Sequence, residues 1–187
     1  MSIAPYQASA VHVQNGPLAL VTFDRDAAPL VASWVRDPHE LFWLAPKTLP
    51  PLSAEKIIEW PGPDGSPLLL YRDGDFEPVG YAELNPMPGQ SYHLWIGHCI
   101  VRPELRQQGF GRALVEMLLH EAFQNRYATR VSLVVFPDNT AAIRCYRATG
   151  FLHIREQVRQ MPSTGRRHCM VEMRITRAQY IAPRPSR

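Results

Sequence analysis

Short runs of β-branched and aromatic residues, bounded by Gly, Pro, Asn or Asp, recur along the chain and predict β-strands. The clearest run is Arg-Val-Ser-Leu-Val-Val-Phe at residues 130–136. Asp73 and Gly74 form the pair that favours a tight hairpin turn between two such runs. The predicted strands cover residues 18–23, 66–71, 76–84, 91–101, 130–136, 152–161 and 168–175.

Between these runs, apolar residues three and four positions apart predict helices. The strongest signal covers residues 110–125, where Leu114, Met117 and Leu118 share one face. Further helical stretches are predicted at residues 27–35, 39–43, 53–60 and 141–149. The pattern therefore predicts an α/β fold with a mixed sheet of about six to seven strands and about four helices.

The chain of 187 residues has the length of one domain and shows no internal repeat. We expect a single domain over residues 1–187, with a loose lead-in at residues 1–16. The folded part is expected at residues 17–181 and a flexible tail at residues 182–187, where prolines and polar residues dominate.

Composition excludes several classes of function. The formal net charge is only +3, without a basic cluster, so we expect neither nucleic-acid nor membrane binding. Cys99, Cys145 and Cys169 are odd in number and widely spaced, which predicts reduced thiols in a cytoplasmic protein. Residues 1–14 have no basic start followed by a long apolar run, so we expect no signal peptide. The histidines do not form a closely spaced ligand pair, so we expect no metal site.

The segment after the strand at residues 91–101 carries the strongest chemical signal. Pro103 ends the strand, Gly109 and Gly111 form a turn, and a helix follows. Backbone N–H groups at such a helix start bind anions, phosphate in particular. Two familiar phosphate-binding motifs are excluded. A nucleoside-triphosphatase loop needs Lys and then Ser or Thr after its last glycine, where this chain has Arg112 and Ala113. A dinucleotide-binding turn needs a small residue where Leu114 stands.

A second segment has the same strand-to-helix form. The strand at residues 130–136 runs into Pro-Asp-Asn-Thr, and a short helix ends at Gly150 and Phe151. Asn139 stands at the start of this helix, with Tyr146 seven residues later.

Together the two segments resemble the GNAT superfamily of N-acetyltransferases. Its Arg/Gln-x-x-Gly-x-Gly/Ala loop is matched by Arg106, Gly109 and Gly111, and its second block is matched by Asn139, Tyr146, Gly150 and Phe151. Gln107 departs from the pattern, because many members have a further glycine there. The resemblance is close over residues 76–152. It implies a GNAT-like, mostly antiparallel twisted sheet and acetyl-coenzyme A (acetyl-CoA) as cofactor.

The resemblance also implies roles for individual residues. The strand segment of Cys99, Ile100 and Val101 would bind the pantetheine arm, and one of its N–H groups would polarise the thioester oxygen. Tyr146 would protonate the departing thiolate. The turn would hold the pyrophosphate with Arg106, Gln107, Gln108, Gly109, Phe110, Gly111 and Arg112, and Asn139 would also contact the cofactor.

Each assignment has a structural alternative. Asn139 could simply cap its helix, and Tyr146 could pack in the core. Glu83 is the first choice for the general base and His98 the second, but a chain of water molecules could also accept the proton.

The acceptor is expected to be a primary amine, on a small molecule or on a protein or peptide, with direct transfer in a ternary complex. Trp34, Trp43 and Trp60 are candidates for the walls of its cleft, although tryptophans more often pack in cores. The alternative is a non-catalytic module that binds or senses acyl-CoA. Either a monomer or a homodimer is compatible with the sequence.

Overall fold

The computed structural model describes residues 10–181, which form one eight-stranded sheet with helices on both faces. The strand order is β1-β2-β3-β4-β5-β6-β8-β7. The β5–β6 pair is parallel, and the other neighbouring pairs in this sheet are antiparallel. The strands are β1 (Val11–Asn15), β2 (Leu18–Thr22), β3 (Ser66–Arg72), β4 (Gly80–Pro86), β5 (His93–Val101), β6 (Arg130–Val135), β7 (Leu152–Gln160) and β8 (Arg167–Thr176).

Six α-helices accompany the sheet within the described residues. The longest, α4, is continued by a π-helical turn at Glu121–Asn125. A 3₁₀ turn at Arg25–Ala27 precedes α1, and a second one at Pro103–Leu105 precedes the loop that leads into α4. The helices are α1 (Ala28–Ser33), α2 (Pro38–Leu44), α3 (Ala54–Glu59), α4 (Phe110–His120), α5 (Thr140–Ala148) and α6 (Arg177–Ile181).

Two apolar cores, one on each face of the sheet, follow from the alternation of side chains along the strands. On one face, α4 and α5 cover the larger core, to which α4 contributes Leu114, Met117 and Leu118. On the other face, α1 and α3 cover a smaller core that includes Trp34 and Tyr81. These two faces are called the α4 face and the α1–α3 face below.

The predicted α/β class and mixed sheet are confirmed, but the expected numbers of strands and helices were too low. The lead-in expected at residues 1–16 contains β1, which pairs with β2 at the edge of the sheet. Its signal is weak because Val13 is its one buried side chain. Helix α6 was also missed, and the tail expected at residues 182–187 lies outside the described residues. Across residues 10–181, every helix falls short of the length and apolarity that a bilayer crossing requires.

Candidate functional site

The two parallel strands β5 and β6 separate near the middle of the sheet. Their pairing begins at His93 and Arg130 and ends at Trp95 and Ser132. Beyond this point β5 and β6 are no longer paired with each other, although both strands continue. Backbone N–H and C=O groups along residues 96–101 therefore face a gap, and an extended ligand could pair with them. This gap is called the split below.

A β-bulge in β5 shapes one side of the split. Between the pairs Glu83–Gly97 and Tyr81–Ile100, β5 uses one residue more than β4. Ile96 and Ile100 consequently pack into cores on opposite faces, which an uninterrupted strand would not allow for residues four apart. His98 has a φ of 41°, a left-handed conformation that is uncommon for a residue other than glycine.

The bulge brings together the two residues predicted as alternative bases. His98 Nδ1 lies 2.7 Å from Glu83 Oε1 on the α1–α3 face. Glu83 is fully buried and also accepts hydrogen bonds from Tyr81 Oη at 2.9 Å and Asn85 Nδ2 at 3.1 Å. With the carboxylate as acceptor, the neutral form of His98 carries its proton on Nδ1 and keeps a lone pair on Nε2.

The imidazole of His98 is also held from one side. Trp60 stacks on it with 4.3 Å between ring centroids and 19° between planes. The side chain keeps about a fifth of its surface exposed at 19 %, and Nε2 forms no hydrogen bond with the described residues. A basic nitrogen in a fixed orientation is therefore accessible beside the split.

Tyr146 lies on the opposite face of the sheet, next to Cys99. The side chain of Cys99 interacts with the Tyr146 hydroxyl, and Tyr146 packs edge-on against Phe151 at 5.9 Å. Burial, followed by the neighbouring Cys99 and Cys145 thiols, raises the pKa of Tyr146 well above its usual value. Burial also raises the pKa of Cys99 to about 12. The phenol therefore remains protonated near neutral pH, and the thiol remains neutral.

The predicted phosphate loop joins β5 to α4. Gly109 stands at the N-cap position of α4 with φ of 91°, and Ala113 N donates to Gly109 O at 3.0 Å. The N–H groups in the first turn of α4, before Ala113, have no acceptor within the helix, which leaves them available to an anion. Gln107, where many GNAT members have glycine, takes the left-handed conformation such a glycine would allow, with φ of 61°.

The polar side chains of this loop form hydrogen bonds and ion pairs with other residues of the protein. Arg106 donates from Nε to Val101 O and from Nη2 to Trp34 O, both at 2.9 Å, and its Nη1 contacts the Glu40 carboxylate. Gln108 Nε2 donates to Glu104 O at 2.8 Å, and Arg112 pairs with Glu116. The positive charges of Arg106 and Arg112 are thus largely neutralised, and the loop offers an anion mainly backbone groups.

Gly111 and Asn139 have local structural roles as well. A Cβ on Gly111 would meet Val101 and Cys145 at ordinary contact distances, so packing does not demand glycine there. Asn139 Oδ1 accepts from Ala142 N at 3.2 Å and caps α5, which is the structural alternative considered for it. Phe110 packs against the larger core, with the Arg72 guanidinium 5.5 Å from its ring centroid.

The three tryptophans separate into different environments. Trp34 is only 2 % exposed and belongs to the core, which is the alternative stated for the tryptophans. Trp60 stacks on His98, and Trp43 lines a cavity at the end of β6. The other aromatic residues of that cavity, Phe42, Phe136 and His168, were missed because they come from separate elements and form no local motif.

Within residues 10–181, no three His, Cys, Asp or Glu side chains are grouped to hold an ion. The three cysteines are free thiols.

The model of the "Acetyltransferase (GNAT) family" matches residues 20–151. Among solved structures, the fold is similar to that of a spermidine N-acetyltransferase from Vibrio cholerae in complex with CoA and spermine. The TM-score is 0.74 at 18 % identity, over 90 % of this chain and 100 % of that chain. The ribosomal-protein-S5-alanine acetyltransferase from Vibrio fischeri gives a TM-score of 0.68 at 13 % identity, over 91 % of this chain and 98 % of that chain.

The matched residues 20–151 include both the loop before α4 and the segment around α5. The chain therefore belongs to the GNAT acetyltransferase family, and it is an acetyl-CoA-dependent N-acetyltransferase.

Proposed function

We propose that the protein transfers the acetyl group directly from acetyl-CoA to a primary amine while both substrates are bound. The observation that carries this proposal is the split between β5 and β6, with the Glu83–His98 pair on one face and Tyr146 on the other. A thioester in the split would lie between a base and an acid. Holding the two reactants in line would supply much of the rate.

The donor would be bound mainly by backbone groups. Residues 99–101 would pair with the pantetheine arm as an added strand would, and one N–H would polarise the thioester oxygen. Residues 106–112 would hold the pyrophosphate through their N–H groups and the start of α4. Asn139 would complete the site from the start of α5, in addition to its capping role.

His98 is proposed as the general base, with Glu83 as a positioning residue. The two sequence candidates thereby form one unit rather than alternatives. Glu83 is buried and its oxygens are occupied by three donors, whereas His98 Nε2 is accessible. The carboxylate would fix the tautomer and stabilise the imidazolium, as in the Asp-His pairs of serine hydrolases.

Tyr146 is proposed as the general acid. The amine nitrogen attacks the thioester carbon and loses its proton to His98 Nε2. The carbon–sulfur bond then breaks, and the CoA thiolate takes the phenolic proton. The products are the N-acetyl amine and CoA, and solvent returns the protons to their starting places.

The alternative, a non-catalytic acyl-CoA-binding module, requires no base beside the split. The fold alone does not specify the acceptor, since the similar structures are named for spermidine and for a ribosomal protein. The spermine bound to one of these proteins and the protein alanine named for the other are amines of very different size.

The decisive experiment replaces His98 with Gln. We expect kcat to fall by about 10²- to 10⁴-fold with the best acceptor of an amine panel, while the affinity for CoA measured by calorimetry is retained. His153→Gln, a change on the exposed strand β7, is the matched control. CoA binding by the unmodified protein without turnover of any amine would favour the module.

A further inference from the structure

A cavity of about 410 Å³ lies at the end of β6, on the same side of the sheet as His98. Its walls combine Phe42 and Trp43 from α2, Phe136 from the end of β6 and His168 from β8. Its volume falls within the range of sites for small molecules. The GNAT assignment and the proposed transfer leave this cavity without a role.

The rings that line this cavity pack on one another and are called the box below; Phe42, Trp43 and Phe136 belong to one small apolar cluster. Phe42 lies 4.7 Å from Phe136 and 4.7 Å from His168, measured between centroids. Phe136 and His168 meet at right angles, at 6.1 Å. On the other side, His39 and Trp43 are 4.4 Å apart. These spacings are those of rings in direct contact, so a further flat ring would stack on, or lie edge-on against, the faces that line the cavity.

The cavity lies across the split from the proposed base. The last β5–β6 pair is Trp95 with Ser132. His98 is three residues beyond Trp95, and Phe136 is four residues beyond Ser132, so both stand at nearly the same height along the split. Phe136 contacts α2, and His98 contacts Trp60 beside α3, which places both on the α1–α3 side.

Helix α2 holds the cavity in place by spanning the split. At one end Glu40 contacts Arg106, which follows β5, and at the other Trp43 Nε1 donates to Asp138 Oδ1 at 3.2 Å. Ser163 Oγ donates to Pro46 O and ties the β7–β8 turn to the segment after α2. The box is therefore assembled before any acceptor arrives, which lowers the entropy lost on binding.

Charge in the cavity favours an apolar guest over a polycation. Among the described lining residues, Asp138 is the one carboxylate. It already accepts from Trp43 and lies 3.8 Å from His39 Nε2. A polyamine would leave further ammonium groups without partners, whereas an aromatic ring needs none.

We infer that this cavity is the acceptor subsite and that it takes the aromatic group of an amine whose nitrogen reaches His98 across the split. The inference rests on the proposed acetyl transfer. The aromatic group can belong to a free arylalkylamine or to the first residue of a peptide, because both present a ring a short distance from a primary amine.

The test compares 2-phenylethylamine, propylamine, spermidine and two tripeptide amides, Phe-Ala-Ala and Ala-Ala-Ala, as acceptors with acetyl-CoA. We expect kcat/KM for 2-phenylethylamine to exceed that for propylamine, or kcat/KM for Phe-Ala-Ala to exceed that for Ala-Ala-Ala, or both, by at least about tenfold. The two aromatic arms identify the source. Preference for spermidine, or equal rates for propylamine and 2-phenylethylamine together with equal rates for the two tripeptides, would overturn the inference and leave acetyl transfer standing.

Phe42→Leu removes one ring of the box, and Phe76→Leu is the matched control, because Phe76 is 80 % exposed on another part of the surface. The first change should raise KM for the preferred aromatic acceptor by about tenfold, which is clearly more than it raises KM for propylamine, whereas Phe76→Leu should change neither. Thr164→Trp, on an exposed residue at the cavity, should block the aromatic acceptor in the same selective way. Unchanged KM in both variants would overturn the inference.

Calorimetry with the CoA-saturated protein separates the two levels of the proposal. Binding of the aromatic amine that is lost in Phe42→Leu, without acetylation by the unmodified protein, would refute the proposed transfer and retain the aromatic site. Absence of both binding and acetylation of every aromatic amine would overturn the inference.

Discussion

At the scale of single residues, the consecutive positions 98 and 99 of β5 serve opposite faces of the sheet. His98 contacts Glu83 on the α1–α3 face, and Cys99 contacts Tyr146 on the α4 face. The β-bulge at this point shifts the alternation by one residue, so that His98 comes within reach of Glu83. A proposed base and a proposed acid can therefore flank one thioester although they belong to different cores.

Replacing Tyr146 with Phe tests the acid at this scale. The ring would still pack against Phe151, so we expect the melting temperature and the affinity for CoA to be retained. Turnover should fall by about 10²-fold, because one proton donor is lost. Steady-state kinetics with the best acceptor measures the change.

The matched control for Tyr146→Phe is Tyr127→Phe, since Tyr127 is 70 % exposed. Full turnover by Tyr146→Phe under conditions where chemistry limits the rate would refute the acid. A change in KM alone would indicate lost substrate binding instead.

At the scale of elements, Arg106 connects parts that the loop motif does not mention. Its guanidinium joins the end of β5 at Val101 to the end of α1 at Trp34 and to Glu40 in α2. The loop proposed to bind the donor and the helix that spans the split thus share one side chain. Donor and acceptor sites are held together by this contact.

We expect Arg106→Gln and Glu40→Gln each to lower the free energy of unfolding by about 1–3 kcal/mol, because both groups are largely buried and the remaining partner is left unpaired. The melting temperature should fall by about 2–4 °C per kcal/mol for a chain of this size. Thermal unfolding of both single variants and the double variant measures the coupling.

If the pair acts as a unit, the double variant should lose less than the sum of the two single losses. Arg112→Gln serves as the control, since its pair with Glu116 is an exposed contact one helical turn apart, worth at most about 0.5 kcal/mol. Strict additivity of Arg106→Gln and Glu40→Gln would contradict the proposed connection.

At the scale of the whole molecule, the sequence predicted those elements whose signals are local. The strands at residues 130–136 and 91–101 and the helix from residue 110 were found because they are apolar, periodic and bounded by Gly or Pro. Strand β1 was not, because an edge strand with one buried residue owes its stability to pairing with β2 and to the contact between His12 and Glu121. Such long-range contacts leave no local pattern.

The candidate site divides in the same way. Motifs made the loop residues and Tyr146 candidates, which stay predictions. The sequence ranked Glu83 and His98 separately, since fifteen positions separate two residues whose side chains meet at 2.7 Å. By resemblance Arg106 belongs to the turn that holds the pyrophosphate, which stays a prediction, and the sequence did not indicate that its side chain contacts Trp34 and Glu40. Both outcomes depend on strand register and helix docking, which spacing along the chain does not encode.

Acid sensitivity belongs to the whole molecule, because the responsible groups lie at both edges of the sheet and in its middle. Burial raises the pKa of Glu121, but hydrogen bonds from Arg126, Asn125 and His12 outweigh it and the net shift is downward. Glu172 in β8 behaves alike: hydrogen bonds from Arg174 and Arg155 outweigh burial, and its pKa is also lowered. In β5, burial lowers the pKa of His93, followed by the charges of Arg130 and Arg174.

In each of these groups the folded pKa lies below the unfolded value, so the unfolded state takes up protons first as the pH falls. Stability should therefore decline from about pH 6.5 because of His93, and more steeply below about pH 4.5 because of the two carboxylates. Melting temperatures by circular dichroism between pH 8 and pH 3 measure this decline. Glu121→Gln should lower the melting temperature at pH 7 and flatten the acid limb, whereas Glu59→Gln, an exposed change, should alter neither. An acid limb as steep in Glu121→Gln as in the unmodified protein would show that the buried carboxylate beside β1 does not link folding to pH.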